Sequence, residues 1–187
     1  MKKIMFNDRY GLTQAVIEGR KTVTRRIMNR QPDPDDIAYM EPKDYPCQPP
    51  YKVGEIVAVA QCYADIHSEL MIGDFGDARY DSFKNAVVHD KAGWHNKMFV
   101  QADLMPHQIR ITSVRPERLQ DITDEDCMKE GIQVLDGRYY YRDSEGRIVD
   151  DFDNPRAAFA SLINKISGRG TWERNPFVWV YEFKLVK

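Results

Sequence analysis

The chemically most informative stretch of this 187-residue chain is residues 19–26, GRKTVTRR. It places Lys21 three residues before Thr24, with arginines on both sides. A threonine hydroxyl can act as a nucleophile when a base lies within hydrogen-bond reach, and a lysine is such a base only if its pKa falls well below about 10.4. Burial and neighbouring cations both lower a lysine pKa. The stretch therefore has three interpretations: it holds a catalytic Lys–Thr pair, it binds an anion, or it is a solvated basic turn.

The spacing of the lysine and the threonine sets a geometric condition on catalysis. In a regular strand Lys21 and Thr24 face opposite sides, because their separation is odd. They converge only if the chain turns or bulges at residues 22–23, and the helix end expected just before them favours a turn. Arg25 or Arg26 can then bind a phosphate group or a developing oxyanion.

The charge of the chain is small in total but uneven along the sequence. The formal net charge is −2, from 27 basic and 29 acidic residues, which is not typical of a nucleic-acid-binding protein. Residues 1–30 are strongly basic, whereas residues 121–130 are strongly acidic. A local cationic segment on a near-neutral protein suits a small anionic or nucleotide ligand at least as well as a long phosphate backbone.

The composition, with 42% hydrophobic and 30% charged residues, is that of an ordinary globular protein. No apolar run approaches the roughly 20 residues of a membrane helix. The N-terminal residues MKKIMFNDRYG lack the apolar core of a signal peptide, so we expect a cytoplasmic protein. The three cysteines are isolated, and no Cys/His pair has zinc-site spacing, so we expect neither a disulfide framework nor a metal nor another cofactor.

The elements that must position this chemistry are short and mixed. Residues 31–50 hold six prolines and are expected to form a long loop. The patterns predict helices at 9–18, near Asp81–Val87, at about Asp124–Glu130 and at 155–167. They predict strands within 51–63, at 98–103, at 108–115, in a hairpin over 138–149 and at 175–187. Few short helices among scattered strands favour an α+β protein built on a small mixed-sheet β-barrel over a doubly wound parallel sheet.

Four motifs in this order are similar to those of the ASCH domain family. They are GRKTVTRR after an N-terminal helix, YKVGEIVAV after a loop, LQDITDEDCMKEGI after a strand, and the closing NPFVWVYEFKLV. The resemblance covers somewhat over half the chain. It implies one domain over residues 1–187 with a PUA-like β-barrel fold, in which about 31–50 and 64–97 are loop insertions.

The resemblance implies two activities. Many members of the family recognise RNA or other nucleic acid, and one small bacterial type is an amidohydrolase that removes the acetyl group of N4-acetylcytidine, a non-peptide C–N amide bond. Carried over by motif, the catalytic residues are Lys21, Thr24 and Glu130. A nearby Glu130 carboxylate raises the pKa of Lys21, so its role is to hold the amine in place. A solvated position at the end of a helix is an equally good interpretation of Glu130.

The expected ligand-binding residues extend the same stretch and add one loop. They are Arg20, Thr22, Arg25, Arg26, Arg169 and Trp172. The alternating aromatic residues of 177–183 are interpreted first as core. Trp172 and the Tyr139–Tyr141 run are the better candidates for stacking on a base, with cross-strand packing as the alternative for the tyrosines.

Three functions remain open on this basis. The first is recognition of RNA or a modified nucleoside or nucleotide in a basic cleft, and the second is hydrolysis of an N-acyl nucleoside. The third is a phage or mobile-element interaction protein that uses its inserted loops as the partner surface. The sequence leaves the oligomeric state open.

Overall fold

The computed structural model describes residues 1–33, 40–41, 44–72, 83 and 92–186. The helices in this part of the chain are α1 (Leu12–Ile17), α2 (Tyr63–Ile72), α3 (Asp124–Lys129), α4 (Pro155–Ser167) and α5 (Thr171–Arg174). The strands are β1 (Lys2–Ile4), β2 (Val23–Ile27), β3 (Ile56–Val59), β4 (Gln108–Arg118), β5 (Gln133–Leu135), β6 (Arg138–Arg142), β7 (Ile148–Phe152) and β8 (Phe177–Leu185). The predicted α+β class is confirmed.

The strands form two sheets. The five-stranded sheet has the order β1-β3-β4-β8-β2, and the three-stranded sheet has the order β5-β6-β7. The β1–β3 pair is parallel, whereas the β3–β4 and β2–β8 pairs are antiparallel. Among the described pairings the five-stranded sheet is open, with β1 and β2 at its edges, where the sequence predicts a small closed barrel.

Two compact units divide the chain. The first comprises Met1–Phe6, Ile56–Arg110 and Leu185–Lys187, and the second comprises Asn7–Glu55 and Ile111–Lys184. The expectation of one domain with two insertions remains a prediction. The helix expected near Asp81–Val87 lies outside the described residues except for Phe83, as do parts of both inserted loops.

The core of the first unit lies at the start of α2. Tyr63 and Ile66 are buried there. Their buried neighbours are Ala58, Ala60, Phe83, Val100 and Met105. The strand predicted at 98–103 does not form. The chain instead makes two 3₁₀ turns, Lys97–Phe99 and Ala102–Leu104, and the Asn96 side chain caps the first by accepting from the Met98 N–H. Local side-chain capping thus competes with an extended conformation at the first of these turns.

The second unit is built on α3, α4 and the sheet strands that carry the candidate site. The apolar stripe of α4 is buried at Phe159, Leu162 and Ile163. Asn154 caps the N-terminus of this helix by accepting from Ala157 N–H, and Pro155 lies in its first turn. In α3 the Thr123 side chain accepts from Asp126 N–H, and Glu130 is the C-cap. The predicted helix at 9–18 is shorter than expected because Gly11, with a φ of 61°, separates a 3₁₀ turn from α1.

No described helix has the length and apolar character needed to cross a bilayer.

Candidate functional site

The segment that carries Lys21 connects α1 to β2, and main-chain hydrogen bonds fix it to α1, α3 and β8. The Lys21 N–H donates to Ala15 O at 2.9 Å, and the Thr22 N–H donates to Lys129 O at 2.9 Å. Thr22 O in turn accepts from Phe183 N–H at 2.9 Å. Pairing with β8 therefore begins at Thr22, and the turn or bulge expected at residues 22–23 does not form.

Lys21 is the centre of a buried ion pair. Its side chain is 2% exposed. The Nζ donates to Val23 O and to Glu130 O, both at 2.9 Å, and to Glu130 Oε2 in a short contact. These three acceptors match the three N–H donors of an ammonium group. The amine is thus fixed in position beside a carboxylate.

Arg25 lies on the other side of the same carboxylate. Its Nη1 contacts Glu130 Oε1 at 3.3 Å. Its Nη2 donates to Glu117 Oε1 and to Asp126 Oδ2, each at 2.8 Å. The Arg25 side chain is only 1% exposed. One guanidinium therefore binds three carboxylates and leaves Glu130 bridging two buried cations.

Arg115 extends these contacts towards solvent. It donates to Asp126 Oδ2 at 3.1 Å and to Glu182 Oε1 at 2.5 Å, and its side chain is 37% exposed. We call these residues together the ion-pair network: Lys21, Arg25, Arg115, Glu117, Asp126, Glu130 and Glu182. Opposite charges alternate throughout it, so its buried part is close to neutral.

Burial and pairing act in opposite directions on the cations of this segment. Burial lowers the pKa of Lys21, and the nearby Glu130 opposes that decrease without cancelling it. Burial also disfavours the charged form of Arg25, but Glu130, Asp126 and Glu117 outweigh it and raise the pKa of that group. The Lys21 amine therefore loses its proton more readily than an exposed lysine does, which is a property required of a general base.

The register of β2 places its alternate residues on the other face of the sheet. Thr24 pairs with Tyr181, and Arg26 pairs with Trp179, without a register shift between Val23 and Ile27. Because side chains alternate along a strand, Thr24 and Arg26 lie on the face opposite Arg25. The site residues expected from GRKTVTRR are thus divided between two faces.

This second face is lined by rings. Tyr45 meets Trp179 edge to face with ring centroids 5.6 Å apart, and Tyr51 meets Tyr181 in the same way at 5.4 Å. We call this set the aromatic face: Thr24, Arg26, Tyr45, Tyr51, Trp179 and Tyr181. Thr24 is buried and Arg26 is half-buried, and burial lowers the pKa of the Arg26 guanidinium.

Two rings of the aromatic face carry polar atoms that are buried without ordinary hydrogen bonds. Among the described residues, Trp179 Nε1 has no hydrogen-bond partner, and the Tyr181 hydroxyl has only an interaction with the Tyr51 main chain that falls outside ordinary hydrogen-bond geometry. Both side chains are at most 3% exposed, and burial raises the pKa of Tyr181. From the sequence these rings were interpreted as core. Their alternation along the strand does not show whether their polar atoms find hydrogen-bond partners.

The remaining expected ligand residues lie elsewhere. Arg20 pairs with Glu18 at 2.5 Å on the surface, and Thr22 acts through its main chain. Arg169 is exposed. The Trp172 ring packs edge-on against Phe159 with centroids 6.1 Å apart. In the part of the chain that the structure describes, the hydrogen bonds and ring contacts of Arg20, Arg169 and Trp172 involve neither the ion-pair network nor the aromatic face.

Four members of the ion-pair network were missed from the sequence. They are Arg115, Glu117, Asp126 and Glu182. Asp126 follows the helix-capping Thr123, and the other three alternate with apolar residues on strands, so each has an ordinary structural explanation. Among the described residues, no group of three or more His, Cys, Asp or Glu side chains is arranged to hold a metal ion.

Comparison with known proteins gives only matches to solved structures, at low identity and low TM-score. No protein-family model and no curated protein matches the sequence. A DUF984-family protein from Enterococcus faecalis V583 is similar with 13% identity and a TM-score of 0.43, over 100% of this chain and 80% of that one. An ASCH domain from Lactobacillus crispatus JV V101 is similar with 12% identity and a TM-score of 0.39, over 97% of this chain and 76% of that one.

Proposed function

We propose that the chain is an ASCH-type, PUA-like domain that recognises a nucleoside, free or within RNA, with the base lying against the aromatic face. The observation that carries this proposal is the pair of buried polar atoms, Trp179 Nε1 and the Tyr181 hydroxyl. A buried donor or acceptor without a partner is destabilising by about 1–3 kcal/mol. A ligand that supplies the missing hydrogen bonds offsets this cost.

The chemistry around these two atoms suits a planar heterocycle. Trp179 and Tyr181 are two residues apart on β8, so their side chains share a face and lie roughly 7 Å apart along the strand. Tyr45 and Tyr51 are half-buried and present rings beside them. Aromatic rings stack on any base, and edge polar groups then distinguish one base from another.

The state of the buried cations favours a small ligand, such as a nucleoside, over a long phosphate backbone. The two buried cations Lys21 and Arg25 are held by carboxylates and are not available to a phosphate backbone. Neutralising several phosphates would make binding fall steeply with salt. We therefore expect nucleoside affinity to change little between low and physiological salt.

Nucleoside titration tests this proposal. Cytidine, N4-acetylcytidine, uridine and adenosine are titrated calorimetrically into wild type, Trp179→Phe and Trp172→Phe. Trp179→Phe keeps an aromatic ring but removes the Nε1 donor, so affinity for the preferred nucleoside should fall about tenfold, equivalent to one hydrogen bond. Trp172→Phe is the matched control and should bind as wild type does. Absence of binding to every nucleoside, or equal losses in the two variants, would refute the proposal.

A second candidate function is hydrolysis of an N-acyl nucleoside, and the Lys21–Glu130 pair is the observation that favours it. A buried amine with a lowered pKa beside a carboxylate can take a proton from a nucleophile and return it to the leaving amine. Because β2 alternation places Thr24 on the opposite face, a water molecule is the nucleophile that this geometry favours.

Release of cytidine from N4-acetylcytidine tests the second function. Lys21→Met should abolish turnover, since it removes the base but keeps the length of the side chain. Thr24→Val, compared with Thr22→Val as the control, identifies the nucleophile: full loss in Thr24→Val alone assigns the step to that hydroxyl, whereas retained turnover assigns it to water. A wild-type protein that releases no cytidine would rule out this activity.

A further inference from the structure

A cavity of about 220 Å³ lies within the second unit, separate from both the ion-pair network and the aromatic face. Its walls come from α1, from the turn that follows α3 and from the β6–β7 hairpin. None of the functions considered above uses it.

The floor of the cavity is apolar and closely packed. Tyr10, Leu12 and Ala15 line it, and all three are buried. Gly131 completes the floor with a φ of 107°, and a Cβ there would lie 3.3 Å from Leu12 Cδ2. A side chain at residue 131 would therefore be strained and would crowd this surface. The floor suits a short aliphatic group.

The rim of the cavity carries two arginines and two acids. The Glu18 carboxylate accepts from Gln14 Nε2 at 3.0 Å and from Arg20 Nε at 2.7 Å. The Asp143 carboxylate accepts from the N–H groups of Glu145 and Arg147, each at 2.9 Å. Internal donors thus already satisfy the two rim carboxylates.

The two rim guanidiniums keep donor capacity. Each guanidinium has five N–H groups. Arg20 directs its Nε and Nη2 to Glu18. Arg142 makes one short hydrogen bond, from Nη1 to Gly146 O at 2.6 Å, and its other contacts, with Gln133 and Tyr140, are at 3.4–3.5 Å. Arg25 differs, since its guanidinium is enclosed by three carboxylates. The rim is therefore rich in donors, whereas the ion-pair network is closed.

We infer that this cavity binds a small organic carboxylate, with its charged end at Arg20 and Arg142 and its aliphatic portion on Leu12 and Ala15. Arginine donors pair with a carboxylate in two parallel hydrogen bonds. The apolar floor distinguishes this ligand from an inorganic anion of the same charge. This site does not depend on nucleoside recognition.

Occupation of the cavity should be detectable at Lys21. Ala15, in the floor, accepts the Lys21 N–H at 2.9 Å, and Gly131 directly follows Glu130. A Cβ at residue 131 would also lie 4.0 Å from Lys21 Cβ. The amides of Ala15, Lys21 and Gly131 are therefore the reporters of ligand binding.

The test is a titration of the full chain with sodium butyrate, followed by ¹H–¹⁵N correlation spectra at constant ionic strength. Butyramide is the neutral probe of the same shape, and inorganic phosphate is the anion without an aliphatic group. Butyrate should shift the three reporter amides in a saturable way, whereas butyramide should not. Phosphate should bind at least about tenfold more weakly, because it gains nothing from the apolar floor.

Two variants separate the site from general surface charge. Arg142→Gln should weaken butyrate binding about tenfold or more, the value of one charge-assisted hydrogen bond. Arg138→Gln is the matched control on the same strand, where the side chain contacts Asp151 and Asp153, and it should bind as wild type does. If Arg142→Gln does not fold, the exposed Arg20→Gln replaces it. The inference is overturned by absent or non-saturable shifts, by equal binding of butyramide or phosphate, or by equal losses in Arg142→Gln and Arg138→Gln.

Discussion

The two faces of β2 differ in how their polar atoms are satisfied. On one face Arg25 contacts three carboxylates, and Glu130 joins it to Lys21. On the other face the Trp179 and Tyr181 polar atoms are equally buried but lack ordinary partners among the described residues. Both faces belong to one strand pair, so neither burial nor secondary structure accounts for the difference.

The comparison separates two kinds of buried polarity. A closed network of charges determines a geometry, because loss of any partner leaves an uncompensated charge. A buried donor without a partner contributes no hydrogen bond to that geometry, and under the proposed function a ligand supplies one. Substitutions on the first face should therefore change stability, and substitutions on the second face should change binding.

The largest effect is expected for Glu130→Gln. This change leaves the buried Lys21 without its counter-charge and weakens the set of contacts around Arg25, so the free energy of unfolding should fall by about 3–5 kcal/mol. Urea denaturation monitored by circular dichroism measures the loss. Glu125→Gln on the same helix is the control: its carboxylate is 77% exposed and pairs with Lys129, so its loss should be within about 0.5 kcal/mol. Equal effects of the two changes would show that the network contributes no more than a surface pair.

The contact between Lys21 and Glu130 could be anticipated only through the motif resemblance. The two residues are 109 positions apart, and no periodicity links them. The helix over Pro155–Ser167 was predicted with its bounds, since its cap and apolar stripe are local signals. The partners of Arg25 were not predicted, because Glu117 and Asp126 lie 92 and 101 positions away and resemble ordinary surface acids.

The division of the GRKTVTRR side chains between two faces of the sheet could be predicted from the sequence only in part. The odd spacing of Lys21 and Thr24 predicts opposite faces for a regular strand, and a turn was expected to bring them together. The chain instead pairs regularly, because the main chain of Thr22 is bonded to Lys129 on one side and to Phe183 on the other. The roles of Tyr45 and Tyr51 depend on the course of a proline-rich loop, which periodicity does not determine.

The next largest effect is a pH dependence of the free energy of unfolding that arises from Lys21. Burial lowers its pKa in the folded protein below the ordinary value of 10.5. At pH values between the folded-state and the unfolded-state pKa, Lys21 is protonated in the unfolded chain but not in the folded one. The free energy of unfolding should therefore rise with pH there, by at most about 1.4 kcal/mol per pH unit. Below the lowered pKa both states are protonated, and the slope disappears.

Denaturation at several pH values between 7 and 9.5 measures this slope, with Lys21→Met as the reference. The upper limit avoids Tyr181, whose raised pKa makes stability fall with pH above 10. Wild type should gain stability relative to Lys21→Met as pH rises. Parallel curves for the two proteins over the whole range would contradict a lowered Lys21 pKa in that window.

A smaller effect distinguishes two buried tyrosines, both 0% exposed. The Tyr141 hydroxyl hydrogen-bonds with Ser161 at 3.0 Å, so Tyr141→Phe should reduce the free energy of unfolding by about 1 kcal/mol. Tyr181→Phe removes a hydroxyl without an ordinary partner, so stability should stay the same or increase. Thermal denaturation of the two variants side by side measures the difference. A Tyr181→Phe protein destabilised as much as Tyr141→Phe would place that hydroxyl in the core rather than at a ligand site.

The smallest effect on stability is expected for Arg20→Gln, and it extends the comparison to the surface. Arg20 lies in the same octapeptide as Arg25, but its side chain is 41% exposed and its partner Glu18 is 43% exposed. A surface pair contributes between about 0 and 1 kcal/mol and is screened by salt. Urea denaturation should therefore hardly distinguish Arg20→Gln from wild type, whereas butyrate binding should weaken. A loss of stability as large as that of Glu130→Gln would mean that Arg20 belongs to the same structural set as Arg25, and the separation between fixed and available cations in this stretch would no longer hold.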